Sequence, residues 1–377
     1  MRIVVVSRGV PDTHDPLLGI FERDQARALA ASGHDVVVVA LDVRSARRRR
    51  RWGTYETRID GLRHVVVSWP AGAVGPRATG LALRVAWLAG LARASRGWGP
   101  PDVVHAHFAR FGAAARRRPG DSYALVVTEH SSQLDGRPLP AGVDAVARQA
   151  YAAADAVLAV SPRLAEVIER RYGVAATYVP NVVDVDTFGL PRVPRPAGAP
   201  VRLVSVGNLV ARKRPGLLVD GFALAAPRLD ATLTIVGDGP QRAALVARHV
   251  PRVTLTGALP RTATAAMLAA ADGFVLLSTY ETFGVVYAEA LAAGVPVLAS
   301  RCGGPEGYVT PGLGSFTDAT DAATVADDLV AFVARLDSFD PALIREAARS
   351  QFAPAVVAEQ LTGIYQTVIA SAPHGTA

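Results

Sequence analysis

Short runs of apolar residues alternate with stretches of helical spacing along most of the chain. In the N-terminal half several runs are continuous in Val, Leu and Ile, a pattern typical of parallel strands that are buried on both faces. They predict strands at residues 3–7, 36–41, 64–68, 103–105, 124–128 and 156–160. Between them, helical spacing at residues 21–31 and 162–172 ends close to a glycine, the residue that often follows a last helical turn. This alternation predicts an α/β domain.

A cluster of prolines then interrupts the pattern. Residues 190–200 contain four prolines and little apolar content, so they can sustain neither a helix nor a central strand and are expected to link two domains. The alternation resumes after this segment. The predicted strands there are residues 202–206, 231–236, 252–255, 273–277 and 295–299. We therefore expect a second α/β domain.

These patterns divide the chain into three parts. Residues 1–190 and residues 191–352 are each expected to form a doubly wound α/β domain, and residues 353–377 to form a helix that crosses back onto the first. Ligands of doubly wound sheets bind outside the carboxyl ends of the strands. Two such domains facing each other are therefore expected to form a binding cleft.

Composition and charge narrow the class of partner. The 377 residues carry 40 Lys+Arg against 33 Asp+Glu, and the net charge of +7 favours anionic partners such as nucleotides, phosphates or acidic lipid surfaces. Aromatic residues make up only 6% of the chain and are not interleaved with basic patches. We therefore expect no nucleic-acid partner.

The sequence also suggests a cellular location. It holds one cysteine, Cys302, so no intrachain disulfide is possible, and no uncharged apolar stretch approaches the roughly 20 residues of a membrane-spanning helix. A cytoplasmic location is expected. The arginine run at residues 47–51 is either a solvated loop or a contact with an anionic acceptor or membrane, which would bring the protein to the inner face of a membrane.

The richest candidate chemistry lies at residues 278–294, STYETFGVVYAEALAAG. A predicted strand ends just before Glu281, and Thr282, Phe283 and Gly284 open a helix whose free N–H groups form an anion site. Glu289 follows on the helix, eight positions after Glu281. Two carboxylates beside a phosphate site suit the hydroxyls of a sugar and a ribose, because a carboxylate accepts several hydrogen bonds. The alternative is one helix-entry carboxylate and one solvated carboxylate.

The segment Glu281-x7-Glu289 closely resembles the Glu-x7-Glu signature of glycosyltransferase family 4. Further motifs resemble those of the family: V-G-N-L at 206–209 followed by Lys213, I-V-G-D-G-P at 235–240, C-G-G-P-E at 302–306, and P-N-V-V-D at 180–184. In the first half, Gly19-Ile20-Phe21, H-A-H-F at 105–108 and Thr128-Glu129-His130 resemble the acceptor-side loops of the family.

The resemblance implies the GT-B fold, with two Rossmann-like domains facing across a cleft, and a retaining enzyme that transfers a sugar from a UDP- or GDP-type nucleoside diphosphate sugar to an acceptor hydroxyl. The unknown acceptor is a glycan, a glycolipid or a small molecule. A donor phosphate oxygen would take the acceptor proton, so neither a metal nor a cofactor is expected.

The resemblance also implies residue roles. Lys213 would neutralise the donor diphosphate, Glu281 would bind hydroxyls of the donor sugar, and His130 would lie near the reacting sugar. The implied donor-binding residues are Gly19, Asn208, Arg212, Gly237, Thr282, Phe283, Gly284, Val285 and Glu289. Taken alone, Lys213 could be a solvated lysine, His130 a structural histidine and Gly19 an ordinary turn glycine.

Two residues depart from the family pattern. Asn208 stands where the family usually has arginine, so one expected cation at the diphosphate is missing. Arg212 could substitute for it, although we expect adjacent residues of a helix, Arg212 and Lys213, to point in different directions. Thr282 stands where glycine is common, and it could cap the helix or bond a phosphate oxygen.

Two other functions stay open. A nucleotide-sugar epimerase on the same scaffold would act on the donor without an acceptor, and a non-catalytic sugar-nucleotide-binding protein would bind the donor without transfer, an alternative that Asn208 favours. A nicotinamide dehydrogenase is disfavoured, because no G-x-G-x-x-G follows a strand. His105 and His107 share a strand face but have no evident third ligand, so no metal site is predicted.

Overall fold

The described residues form two β-sheets, one in each of two units of the chain. The computed structural model describes residues 1–12, 15, 18–44, 50–71, 75–134 and 139–371. The first unit comprises Met1–Val182 together with Pro354–Ala377, and the second comprises Val183–Ala353. The helices are α1 (Ile20–Ala31), α2 (Pro76–Ala94), α3 (Ala109–Ala114), α4 (Ala141–Ala153), α5 (Pro162–Tyr172), α6 (Val185–Phe188), α7 (Pro215–Ala225), α8 (Arg242–Val246), α9 (Arg261–Ala270), α10 (Val285–Ala292), α11 (Ala322–Ala334), α12 (Pro341–Phe352) and α13 (Pro354–Ser371).

The described residues of the first unit form a sheet of eight strands. They are β1 (Arg2–Ser7), β2 (Asp35–Val43), β3 (Gly53–Ile59), β4 (Leu62–Trp69), β5 (Val103–His107), β6 (Ala124–Glu129), β7 (Ala156–Ala159) and β8 (Ala176–Tyr178). Their order is β3-β4-β2-β1-β5-β6-β7-β8, and every pair is parallel except β3 with β4. Strands β1, β2, β5 and β6 are buried almost throughout, as their Val-rich sequences predict.

Strands β3 and β8 were not predicted. Strand β3 alternates half-buried and exposed positions and pairs with β4 as an antiparallel edge hairpin, so it lacks the continuous apolar run of its neighbours. The turn of that hairpin is Asp60-Gly61, both with positive φ (51° and 80°). Two-residue hairpin turns in which both residues have positive φ favour Asp-Gly, so the signal for the hairpin was present in the sequence.

The sheet of the second unit has six strands, all paired in parallel. They are β9 (Val201–Val206), β10 (Ala231–Val236), β11 (Val253–Gly257), β12 (Gly273–Leu276), β13 (Val297–Ser300) and β14 (Gly314–Thr317), in the order β11-β10-β9-β12-β13-β14. Five of them match the predicted strands, and β14 is additional. The expected pair of doubly wound α/β units is therefore present.

Each sheet has one point at which the strand order reverses. In the first unit the chain runs outward from β1 through β2 to the β3–β4 hairpin and then returns to place β5 on the other side of β1. In the second unit it runs from β9 through β10 to β11 and returns to place β12 beside β9. Such reversal points leave a crevice at the carboxyl ends of the strands where ligands bind. The loops after β1 and β5, and after β9 and β12, are therefore the places where each unit can bind a ligand.

The boundary between the units lies after Val182, whereas the prediction placed it after residue 190. The short helix α6 belongs to the second unit, where Phe188 is buried beneath the guanidinium of Arg261, 5.4 Å from the ring centroid. The proline-rich segment is irregular, as predicted, but it is held on the second unit. Arg345 donates a hydrogen bond to the carbonyl of Leu190 (2.6 Å) and Arg202 one to that of Val193 (2.8 Å).

The last helix, α13, packs on the first unit. Its Leu361 and Tyr365 are fully buried in the core that Ile3, Val126 and Leu158 also form. Residues 372–377 lie outside the described part of the chain. Among the described helices, none combines the length and the apolar character that a bilayer crossing requires.

The predicted arginine run is described only at its end, because residues 47–49 lie outside the described ranges. Arg50 forms ion pairs with Asp42 and Asp12 and is only 10% exposed. Arg51 lies over the ring of Tyr55, 4.0 Å from its centroid. The described arginines of this run therefore contact their own unit.

Candidate functional site

Close packing of glycines holds two loops together at the carboxyl edge of the second sheet. The amide of Gly207, which follows β9, donates to the carbonyl of Val236 at the end of β10 (3.0 Å). A Cβ atom on Gly237 would lie 2.0 Å from the carbonyl oxygen of Gly207, and its φ is 143°, so no other residue fits this position. Gly237 thus packs directly against the backbone of the loop that carries the exposed Asn208.

Lys213 and Glu281 meet at the reversal point between β9 and β12. The Nζ atom of Lys213 lies 2.5 Å from Oε1 of Glu281, and both side chains are nearly buried, at 12% and 10% exposure. Ser278 donates a hydrogen bond to the same oxygen (2.7 Å), and Arg212 Nη1 lies 3.1 Å from it. Lys213 is also the only lysine among the 40 Lys+Arg of the chain. The structure therefore brings together three of the residues that the sequence predicted.

A tight turn explains why two adjacent cations reach one carboxylate. Ala211–Lys213 form a single 3₁₀ turn, and Arg214 then adopts the left-handed conformation (φ 48°). The carbonyl of Arg212 accepts a hydrogen bond from the amide of Thr279 (2.8 Å), which ties this turn to the loop after β12. The expectation that Arg212 and Lys213 point in different directions was wrong, because it assumed a regular α-helix.

Glu281 is ionised in this setting. Burial alone would raise the pKa of its carboxyl group, but the charges of Lys213 and Arg212, with hydrogen bonds from Lys213 and Ser278, outweigh burial and lower the pKa below its ordinary value. The loop that carries Glu281 is fixed by its backbone as well. The amide of Glu281 donates to the carbonyl of Cys302, and its carbonyl accepts from Gly304 (both 2.8 Å).

Helix α10 begins at Val285, three residues later than predicted. Gly284 precedes it in the left-handed conformation (φ 81°), and no side chain caps the helix, so the proposed capping role of Thr282 was wrong. Phe283 is buried against the rings of Tyr308 and Phe352. No described residue offers a hydrogen-bond acceptor to the amides of Val285 and Val286. These two amides and the positive end of the helix dipole are therefore suited to an anion.

Glu289 lies on the same helix and is 9% exposed. Its Oε1 atom lies 3.9 Å from Nη2 of Arg261, at the start of α9. The sequence pattern predicted that Glu289 and Glu281 share one site. The structure gives them different cationic partners, Arg261 and Lys213.

In the first unit, His130 follows β6 and is 7% exposed. Its Nε2 atom forms a hydrogen bond with Nδ1 of His107 (2.8 Å), at the end of the neighbouring strand β5. Its ring also packs on Phe21 and Phe108, with ring centroids 5.8 and 5.1 Å away. Burial, then the charges of Arg8 and His105, lower the pKa of His130 to about 3. The imidazole is therefore neutral, and its Nδ1 atom has no hydrogen-bond partner among the described residues.

Glu129 is a site residue whose structural role was not predicted. Its buried carboxylate accepts four hydrogen bonds, from Tyr151 Oη (2.7 Å) and from the amides of Ala109 (3.0 Å), His130 (2.9 Å) and Ser131 (2.7 Å). These bonds fix the backbone of His130. The signal was a carboxylate at the end of an otherwise apolar strand, because a buried charge must be paired or hydrogen-bonded.

Gly19 lies at the start of α1, in the left-handed conformation (φ 72°). A Cβ atom there would lie 2.8 Å from the carbonyl oxygen of Gly9, in the loop after β1, and 2.9 Å from Oγ of Ser7, the last residue of that strand. Close approach and positive φ both require glycine at this position. The described residues of the chain contain no cluster of three or more His, Cys, Asp or Glu that could hold a metal ion.

Comparison with known proteins identifies the class. Residues 21–187 match the family model described as Glycosyltransferase Family 4, and residues 200–336 match the one described as Glycosyl transferases group 1. The sucrose-phosphate synthase structure from Thermosynechococcus elongatus superposes with a TM-score of 0.73 at 22% identity, covering 99% of this chain and 100% of that one. The chain has the GT-B fold and is a glycosyltransferase.

Curated relatives place it more narrowly. The glycogen synthase of Mycobacterium tuberculosis is 30% identical over 340 residues, which are 81% of this chain and 79% of the relative. The GDP-mannose-dependent alpha-mannosyltransferase of the same species is 33% identical over 308 residues, 75% of each chain. The chain belongs to glycosyltransferase family 4.

The predicted family, fold and activity, transfer of a sugar from a nucleotide-sugar donor, are thereby confirmed. The relatives named above are all glycosyltransferases, and none supports an epimerase or a non-catalytic binding protein. The roles of the individual site residues stay predictions.

Proposed function

We propose that the protein is a retaining glycosyltransferase whose second unit binds the diphosphate and the sugar of its donor at Lys213 and Glu281. The observation that carries this proposal is the nearly buried Lys213–Glu281 ion pair at the reversal point of the second sheet. A buried ammonium and a buried carboxylate at the carboxyl edge supply the two chemistries that a sugar diphosphate needs.

In the proposed mechanism, the donor diphosphate replaces Glu281 as the partner of Lys213. The carboxylate of Glu281, released from the ammonium, then accepts hydrogen bonds from hydroxyls of the donor sugar. As the bond to the diphosphate breaks, negative charge develops on the leaving oxygens. Lys213, Arg212 and the free amides of Val285 and Val286 stabilise that charge. These groups can do so without a divalent metal, so we propose a metal-independent reaction.

The proposed stereochemistry is retention. The acceptor hydroxyl attacks on the face that the diphosphate leaves, and a phosphate oxygen of the leaving diphosphate takes its proton. His130 assists as a neutral hydrogen-bonding group, since its pKa of about 3 keeps it uncharged at neutral pH. The resemblance to the family supports this assignment.

The proposed donor is a UDP- or GDP-sugar. The relative named as a GDP-mannose-dependent alpha-mannosyltransferase supports the second of these. A glycan, a glycolipid or a small molecule is the proposed acceptor. Action in the cytoplasm, with contact at the inner face of a membrane, stays a prediction.

A donor panel tests this proposal. UDP-, GDP-, TDP- and ADP-sugars are titrated by calorimetry into the wild type, into the Lys213→Ala variant, and into the matched control Glu346→Gln, an exposed glutamate of the same unit. We expect one nucleotide class to bind, with Lys213→Ala weakening it by about 10- to 100-fold, the contribution of a charge-assisted hydrogen bond.

Two further measurements test the mechanism. The anomeric configuration of the first product, read by NMR, matches that of the donor if the enzyme retains. Dialysis against EDTA leaves the rate unchanged if no metal takes part. Full transfer by Lys213→Ala would overturn the site assignment, and an inverted product would overturn retention.

A further inference from the structure

Three arginines follow three neighbouring strands at the carboxyl edge of the first sheet. Arg8 comes directly after β1, Arg44 directly after β2, and Arg110 three residues after β5. Strands β2, β1 and β5 are adjacent, and the strand order reverses between β1 and β5. The arginines therefore lie where this unit is built to bind a ligand.

Arg8 is held by aromatic faces and leaves most of its donors unused. Its guanidinium carbon lies 4.9 Å from the ring centroid of Phe108 and 5.8 Å from that of Phe21. Among the described residues its one ion pair is with Glu22, Nε to Oε1 at 3.2 Å, and none of them forms a hydrogen bond with it. Phe108 has a positive φ of 68°, a strained conformation for a non-glycine residue and one that recurs at functional sites.

Arg110 has fewer polar contacts with described residues than Arg8 has. Within the described part of the chain it makes neither a hydrogen bond nor an ion pair, and its contact is with the face of Phe111, 4.7 Å from the ring centroid. Desolvation, followed by the positive charges of Arg8 and Arg44, lowers the pKa of the exposed Arg110, and the carboxylates of Glu22 and Glu129 act in the opposite direction with smaller effect. Positive charge therefore outweighs negative charge around Arg110, which favours an anion there.

The carboxylates near these three arginines already have other partners. Glu22 is fully buried and pairs with Arg8. Asp42 pairs with both Arg44 and Arg50. The carboxylate of Glu129 accepts its four hydrogen bonds. None of them forms an ion pair with Arg110.

We propose that the acceptor carries an anionic oxygen group, a phosphate ester or a carboxylate, and that Arg8 and Arg110 bind it. The guanidinium fork matches the geometry of both groups, and two such forks with unused donors at a ligand-binding edge favour an oxyanion over a neutral hydroxyl. This inference rests on the proposed function, because it assigns the first unit to the acceptor.

Binding of inorganic phosphate tests the proposal. The probe is titrated into the full chain, with binding read from the ³¹P line width, in the Lys213→Gln background, which removes the main cation of the donor site. We expect saturable binding there. Arg8→Gln and Arg110→Gln should each weaken it by about tenfold or more, the effect of losing one charge-assisted contact. Arg27→Gln, which removes a half-exposed arginine of α1, should leave it unchanged.

Conservative replacement separates binding from folding. Because Arg110 has no ion pair within the described residues, Arg110→Gln should unfold at the wild-type temperature, and Arg110→Lys should recover part of the phosphate affinity. Glycerol 3-phosphate and vesicles of phosphatidylglycerol in phosphatidylcholine form two further arms. Binding of the first alone indicates a soluble acceptor, and arginine-dependent binding of the second indicates a lipid one.

Three outcomes would overturn the proposal. The first is phosphate binding that is unaffected by Arg8→Gln and Arg110→Gln, and the second is the absence of phosphate binding in the Lys213→Gln chain. The third is loss of nucleoside diphosphate binding in the two arginine variants as large as the loss of phosphate binding, which would assign the arginines to the donor. Failure of the proposed function looks different, because Lys213→Ala would then retain nucleotide affinity whatever the arginine variants do.

Discussion

Replacing Glu281 by glutamine is expected to change nucleotide binding and sugar transfer in opposite directions. In the free enzyme the carboxylate holds Lys213 at 2.5 Å and Arg212 at 3.1 Å, so it competes with a diphosphate for both cations. Glutamine keeps the shape of the side chain and removes the charge. The variant should therefore bind the free nucleoside diphosphate more tightly and transfer sugar more slowly.

The sizes of the two changes, in nucleotide affinity and in transfer rate, follow from the hydrogen bonds that Glu281 forms. A charge-assisted hydrogen bond contributes about 1.5–3 kcal/mol and a neutral one about 0.5–1.5 kcal/mol. Weakening the competing bond by about 1–1.5 kcal/mol tightens nucleotide binding by about 5- to 12-fold. Loss of the carboxylate contacts to the donor sugar should slow transfer by about 10- to 100-fold.

Calorimetry with the free nucleotide and a steady-state transfer assay measure the two effects. Glu346→Gln, a change of the same chemistry at an exposed position of the second unit, should alter neither. Weaker or unchanged nucleotide binding by Glu281→Gln would refute the idea that this carboxylate and the diphosphate compete for Lys213.

Three further predictions concern charge, packing and pH. Lys213→Arg should bind nucleotide about tenfold more weakly than wild type in the same calorimetric assay, because a planar guanidinium cannot replace a compact ammonium in a nearly buried position. Gly237→Ala should destabilise the second unit by about 2–4 kcal/mol, measured by scanning calorimetry, since its Cβ would lie 2.0 Å from a carbonyl oxygen; an unchanged transition would contradict the loop packing. His130 has a pKa of about 3 in the folded chain against 6.5 when unfolded, so the unfolded chain binds more protons between these values and the first unit loses stability as the pH falls below 6.5. All four tryptophans lie in that unit, so its denaturant unfolding can be followed by tryptophan fluorescence. Because of this group, the free energy of unfolding should fall by about 1.4 kcal/mol for each pH unit below 6.5, and it should fall less steeply in His130→Gln.

The fold was largely predictable because its main strands are buried on both faces. A strand such as β1 must then be apolar at every position, which leaves a clear mark in the sequence. Strand β3 was missed because it is an edge strand whose polar positions face solvent, although Asp60-Gly61 marked its turn. The domain boundary was predicted after residue 190 rather than after Val182, because α6, which is four residues long, leaves almost no periodic signal.

The site was predictable in its residue types and less so in its pairings. Lys213 and Glu281 could be named from their motifs, but their contact depends on a 3₁₀ turn and on the left-handed Arg214, which spacing alone does not specify. The contact of His107 with His130 depends on the register between β5 and β6. Such pairings are tertiary, so they follow from the sheet order and from no local pattern.

In the proposed mechanism the donor diphosphate replaces Glu281 as the partner of Lys213. Because the chain has a single lysine, protein labelled with ¹³C-lysine gives one Cε resonance, which reports on that ammonium group alone. We expect a nucleoside diphosphate to shift this resonance to a saturated value, and Glu281→Gln to shift it in the absence of nucleotide. If a nucleotide binds by calorimetry and leaves the resonance unmoved, the diphosphate does not replace Glu281 at Lys213.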